Sequence, residues 1–186
     1  MITNKPMRTA EEAAERLLVL TSVCAVASES ELRLEIIDWL KDERLWDELS
    51  PNETRFMETD SPTQKDEIKY SWYAEAIYLI GWALKLEQTL LPPNNQASTG
   101  NIFDQVPAPG ESTADFIVNA KLRSPDEIYG KVEELYNAHS RCRAAEMQNR
   151  PERHGHDIEV AQERHHAINW LICHENAAWD DVVTDT

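Results

Sequence analysis

The stretch Trp72-Tyr73-Ala74-Glu75-Ala76-Ile77-Tyr78-Leu79-Ile80-Gly81-Trp82-Ala83-Leu84-Lys85-Leu86 decides the fold. From Trp72 to Leu84 it carries one ionisable carboxylate, Glu75. A helix that is apolar on every side must be buried on every side. This one is too short for a bilayer, which needs roughly 20 apolar residues, so it is a core helix. On a helical projection Glu75 shares a face with Ile68, Trp72, Leu79, Trp82 and Leu86 and points inward. An unpaired carboxylate there is costly or takes up a proton, so a partner is expected.

The second long apolar segment supplies one. Residues 157–175 read as a helix with Ile158, Ala161, His165, Ile168 and Ile172 on one face and Val160, Ala167 and Trp170 on the other. Two apolar faces make it a second central helix, packed against the first. Arg164 borders its core face, and its planar fork suits a carboxylate. His165 and Asn169 lie on the inner half and complete a polar cluster. That cluster has two readings. It is an ion-pair network that fixes helix register, or a polar pocket for a small ligand or a general acid/base carboxylate.

Around these two helices the chain reads as helix throughout. Capping boxes, with Ser or Thr followed three residues on by Glu or Gln, occur at Thr9–Glu12, Ser28–Glu31, Ser50–Glu53, Ser61–Gln64 and Ser124–Glu127, with a weaker one at Ser112–Asp115. They open helices near 10–27, 30–48, 51–58, 62–86, 113–121 and 125–149. Between Gln88 and Glu111 periodicity stops and Pro92, Pro93, Pro107, Pro109 and Gly110 gather, giving a long loop that is an ordered cover or a mobile lid. The expectation is an all-α, single-domain orthogonal bundle (residues 1–186) of about seven helices around two central buried ones.

Composition narrows the function. The net charge of −16 at pH 7 repels phosphate backbones and anionic lipid, which excludes nucleic acid and membrane surfaces as partners. A solvated acidic exterior is the plain reading; a basic protein partner is the sharper one. Cys24, Cys142 and Cys173 are scattered with no Cys-x-x-Cys, as expected of buried thiols in a reducing cytoplasm. Leu17–Ala27 ends in Ala25-Val26-Ala27 like a signal-peptide cleavage site, but Glu11, Glu12 and Glu15 stand among Lys5, Arg8 and Arg16 ahead of it. It reads as a helix of the mature protein.

Catalytic signatures are sparse. Glu163-x-x-His166 has the spacing of a di-iron ligand pair, yet no second such motif faces it. His154-Gly155-His156 lies in a helix-breaking region. His139 and His165 sit on apolar stripes, where hydrogen-bonded core histidines are commoner than ligands. No metal and no cofactor is expected. There is no Gly-x-Ser-x-Gly and no glycine-rich phosphate loop, and Cys173 and His174, adjacent on a helix, diverge. The end of the chain, Trp179-Asp180-Asp181-Val182-Val183-Thr184-Asp185-Thr186, is read as docking through Trp179, Val182 and Val183. Its three carboxylates, Asp180, Asp181 and Asp185, are set to reach Arg164 or the group Arg141, Arg143, Arg150 and Arg153.

Three of these stretches together resemble the bacterial family catalogued as domain of unknown function 4272. They are Trp72-Tyr73-Ala74-Glu75-Ala76 with Trp82-Ala83-Leu84, Glu163-Arg164-His165-His166-Ala167-Ile168-Asn169-Trp170-Leu171, and Trp179 to Thr186. The Ser50-Pro51-Asn52-Glu53 box also fits. The resemblance spans about residues 10–186. It departs from the family pattern at Tyr73, where Arg often follows the first Trp. It implies a helical cytoplasmic protein and no assigned activity. The function expected is that of a non-enzymatic, acidic protein-interaction domain, monomeric or homodimeric. The alternative is a small-ligand-binding protein or enzyme whose pocket uses Trp72, Glu75, Arg164, His165, Asn169, Asp181 and Asp185.

Overall fold

The computed structural model describes residues 6–186; Lys5, counted in the charge balance ahead of Leu17, lies outside them. Every regular element among these residues is helical. Thr9 opens α1 (Ala10–Ser28) with the expected box: its Oγ1 accepts from Glu12 N at 3.1 Å, and Glu12 Oε2 accepts from Thr9 N at 2.7 Å. The apolar run that mimics a signal sequence is buried on nearly every side, with Leu17, Leu18, Val19, Leu20, Val23 and Val26 all inaccessible. α1 therefore joins the two central helices as a third. α5 (Tyr73–Ala83) lies between α1 and α9 (Ile158–Leu171), and α8 (Pro125–Met147) covers the far side of α9.

Shorter pieces close the ends. They are α2 (Arg33–Asp42), α3 (Pro51–Glu58), α4 (Gln64–Ser71), α6 (Gly100–Phe103) and α7 (Ala114–Val118). The boxes at Ser50 and Ser124 form as read. The box expected at Ser61 sits two residues later, where Thr63 and Asp66 bond reciprocally. At Ser28 there is none, because α1 runs through that serine and Glu29 leaves the helix at φ −137°. The weaker box at Ser112–Asp115 does not form: α7 starts after Thr113, whose side chain makes no cap and whose hydroxyl donates instead to Glu43 Oε2 at 2.7 Å, tying the start of α7 to the end of α2.

Helix ends differ most from the sequence reading, and for one reason. α2, α5 and α8 all stop with a non-glycine residue in the left-handed region: Arg44 at φ 61°, Lys85 at 66° and Asn149 at 48°. In each case the next amide reaches back five residues, from Leu45 to Leu40, Leu86 to Gly81 and Arg150 to Ala145, at 2.8, 2.9 and 3.0 Å. This geometry normally uses glycine, which removes the usual stop signal from the sequence. The helix expected over 30–48 accordingly ends at Asp42. That expected over 157–175 ends at Leu171, just before Cys173 at φ 52°.

The helix expected to run unbroken from Pro62 to Leu86 is interrupted at Trp72. Ser71 Oγ bonds back to Ile68 O at 2.7 Å, and Glu75 N bonds Trp72 O rather than Ser71 O. Ile68, read as sharing the inward face of Glu75, is 54% exposed as a result. The proline-rich segment is an ordered cover. Ile102 plugs into the core beside Gly81, so closely that a Cβ at Gly81 would lie 2.5 Å from Ile102 Cδ1. Asp157 N donates to Pro93 O and Trp39 Nε1 to Glu111 O, both at 2.8 Å.

Candidate functional site

Glu75 and Arg164 meet where α5 crosses α9, each 1% exposed. Arg164 grips a single carboxylate oxygen, Oε2, through Nε at 2.9 Å and Nη2 at 2.8 Å. The other oxygen, Oε1, accepts the Ala97 backbone N–H at 2.7 Å. Arg164 Nη1 donates to Leu91 O at 2.6 Å, and the guanidinium lies 4.9 Å above the Tyr78 ring. Tyr78 itself donates to Thr89 O and accepts from Leu91 N. Both charges are thus spent on each other and on the backbone of residues 89–97. Such charge-assisted bonds are the strong kind, and here they pin a loop that has few apolar anchors of its own.

The remaining residues of the expected cluster do not join this pair. His165 and Asn169 are buried on another side of α9. Asn169 Nδ2 stands 3.1 Å from His165 Nε2 and donates to Val183 O at 3.0 Å. His165 Nδ1 in turn faces His139 Nδ1 on α8 at 3.2 Å. Burial, together with His139, holds His165 down to about 4, and burial lowers His139 as well. Both rings are neutral at pH 7. The Val183 carbonyl requires the Asn169 nitrogen, not its oxygen, at that contact. His165 Nε2 is therefore an acceptor, and its proton is on Nδ1, donating to His139. Trp72 is half-buried at the α4–α5 break.

The acids near the end of the chain reach none of the arginines suggested for them. Asp180 instead completes the start of α3, accepting from Ser50 Oγ at 2.8 Å and Asn52 N at 2.9 Å. Asp181 and Asp185 are exposed. A local role won because the Trp179 ring, 4% exposed, fixes where the segment docks: its Nε1 donates to Tyr73 Oη at 3.1 Å and its ring abuts His166 and Trp170.

A second buried pair escaped the sequence reading. Arg16 on α1 donates from Nη1 to both oxygens of Glu53 at 2.9 Å, and from Nη2 to Glu48 O at 2.5 Å. Glu53 is wholly inaccessible and also accepts from Ser50 N at 2.7 Å, so one carboxylate serves as helix cap and counter-ion together. The guanidinium stacks on Trp179 and Trp170, at 5.0 and 5.8 Å from their ring centroids. All that the sequence showed of it was the Ser50-Pro51-Asn52-Glu53 capping box.

One depression adjoins Arg164 and another adjoins the His165–Asn169 pair. The first, of about 600 Å³, is lined by Tyr78, Leu91, Asn95, Gln96, Ala97 and Arg164 among others. The other, of about 400 Å³, is lined by Val132, Tyr136, His165, Asn169, Val183 and Asp185 among others. Glu163, half-buried on α9, is raised to about 7 by burial and by the nearby Glu75 carboxylate. Among the described residues no three His, Cys, Asp or Glu side chains are placed to hold a metal ion. Cys24 and Cys142 are buried and Cys173 half-buried, all as free thiols, and burial raises the first two to about 11.

A family model for a domain of unknown function (DUF4272) matches residues 3–182, nearly the whole chain. The chain belongs to that family. The Trp72 and Glu163 stretches that carried the resemblance fall within the match, as does the third as far as Val182, and in this DUF4272 chain those stretches are the elements that surround the two buried pairs. No curated protein and no solved structure matches it. No helix among the described residues is long and apolar enough to cross a membrane.

Proposed function

We propose that this DUF4272 chain is a non-enzymatic binding domain for a basic protein partner, engaged through the outer face of α2. What supports this is the division between its acids. Buried Glu53 and Glu75 are consumed by arginines, whereas Glu31, Glu35, Asp38 and Asp42 stand exposed along one face with no ion-pair partner among the described residues. Leu34, 73% exposed, sits among them. Lys41, the one base on that face, is turned against the Trp46 ring at 4.8 Å. An acidic ridge around an apolar contact attracts a basic, amphipathic surface and speeds its encounter. The test is affinity capture with the wild type and with a Glu31→Lys, Glu35→Lys, Asp38→Lys, Asp42→Lys variant of unchanged helicity. A basic protein held by the wild type, released by salt and not retained by the variant, is expected. Capture that survives the charge reversal would refute the reading.

The alternative, a small-ligand site, is favoured by one observation. The depression beside Arg164 has a volume of about 600 Å³, within the usual range of roughly 300–1,000 Å³ for ligand pockets. Against it, the Arg164 guanidinium is 1% exposed and already bonds Glu75, Leu91 O and Asn95 O, which disfavours an anionic occupant. Thermal-shift screening of neutral metabolites addresses this reading, with Tyr78→Phe as the control.

A further inference from the structure

The hydrogen-bond chain from α8 to the last residues has only one place to accept a proton. It runs His139 Nδ1 to His165 Nδ1 (3.2 Å), His165 Nε2 to Asn169 Nδ2 (3.1 Å) and Asn169 Nδ2 to Val183 O (3.0 Å). All three side chains are at least 96% buried. With His165 donating from Nδ1, neutral His139 accepts at Nδ1 and already carries its own proton on Nε2. A further proton on His139 Nδ1 would set two N–H groups against each other at 3.2 Å. Sharing it across the pair keeps that bond only if His165 is protonated on Nε2. But Nε2 then becomes a donor facing an amide nitrogen. Rotating the Asn169 amide would present oxygen to His165, and would set that same oxygen against the Val183 carbonyl.

We propose that the His139–His165–Asn169 chain is a proton-sensitive latch: one proton taken up by the pair releases the segment 182–186 and opens the groove that Val183 and Asp185 help to line. The proposal is independent of the acidic face of α2. The groove, about 400 Å³, exposes Val132, Tyr136 and Ile172 once Val183 leaves, an apolar surface with His165 at its floor.

The charges around the pair set where the latch trips. His166, the next residue on α9, His174 in the turn that follows α9, and Arg143, which acts on His139 from α8, all oppose protonation. Glu133 on α8, Glu175 in that turn and Asp185 on the segment itself line the groove and favour it; Tyr129 and Tyr136 line it as well. Burial adds to the opposing side, and His165 lies at about 4. Release is therefore an acid response centred near pH 4, with α1, α5 and α9 still folded.

The test follows backbone order of Val182–Thr186 by ¹H–¹⁵N heteronuclear NMR from pH 7.5 to 3, with helicity monitored in parallel. In the wild type the segment should lose order in step with titration of the His165 ring, before helicity changes. Asn169→Leu should free it at every pH. His165→Phe leaves Asn169 its bond to Val183 and removes the proton site, so the segment should stay ordered through pH 3. The proposal is overturned if the wild-type segment keeps its order through the His165 titration, if it loosens only with the whole fold, or if His165→Phe loosens at the same pH as the wild type.

Discussion

The molecule holds two buried arginine–glutamate pairs, and they are built for different tasks. Arg16–Glu53 is symmetrical: one nitrogen bridges both carboxylate oxygens, two tryptophans seal the guanidinium, and every remaining bond goes to a helix start or to the turn before it. Arg164–Glu75 is lopsided. The arginine holds one oxygen, and the free oxygen and the free Nη1 both turn to a loop. The first pair joins helices α1 and α3. The second joins α5 and α9 and then uses its leftover hydrogen-bonding capacity to hold residues 89–97 in place. A buried ion pair contributes little net stability against an apolar replacement. What it supplies here is position, and the two pairs position different things.

Removing one partner separates them. Glu53→Ala strands Arg16 and breaks the box at Ser50, so it should cost about 3–5 kcal/mol for the pair and about 1 more for the cap. The loss should be global, read by chemical unfolding, with no selective exposure of the loop. Glu75→Ala should cost about 3–5 kcal/mol and in addition make residues 88–99 sensitive to protease under conditions where the helices stay intact. Equal loop sensitivity in both variants would erase the distinction.

Glu163 sharpens it further, because it burdens only the second pair. Its folded value of about 7 lies above the ordinary carboxylate value. Below about pH 4.5 both folded and unfolded chains hold the proton; between there and 7 only the fold does, so stability falls as pH rises and then levels off. Glu163→Gln should abolish that slope and stabilise the protein at pH 8 by on the order of 2 kcal/mol. A slope that persists would show that the Glu163 carboxylate is solvated. Gly81→Ala, which pushes against Ile102, should cost about 1–3 kcal/mol through overpacking. Its protease signature should match that of Glu75→Ala and not that of Glu53→Ala.

Much of this was legible beforehand where burial leaves a pattern. An acid inside an otherwise apolar helix announces that it needs a partner, and Arg164 on the other doubly apolar helix was its natural match. Glu53 gave no such signal, since a glutamate three residues after serine already has a sufficient role as a cap. Helix ends at Arg44, Lys85 and Asn149 were hidden because the left-handed position is filled without glycine. The grouping of His165 and Asn169 with Glu75 failed for a rotational reason: successive residues on a helix diverge by about 100°, so Arg164 and His165 serve different neighbours. Asp180 was misassigned because the docking of Trp179 places it at the α3 N-terminus, a contact across nearly the full length of the chain.

The Ala97 amide tests the central claim most directly. It donates to Glu75 Oε1 at 2.7 Å in a segment without regular structure, between Gln96 and Ser98. If the Glu75–Arg164 pair holds the loop, hydrogen exchange at Ala97 should be far slower than at those two neighbours in the wild type. In Glu75→Ala it should rise to their rate, with the amides of α5 still protected. An Ala97 amide that exchanges as fast as Gln96 and Ser98 in the wild type would contradict the account.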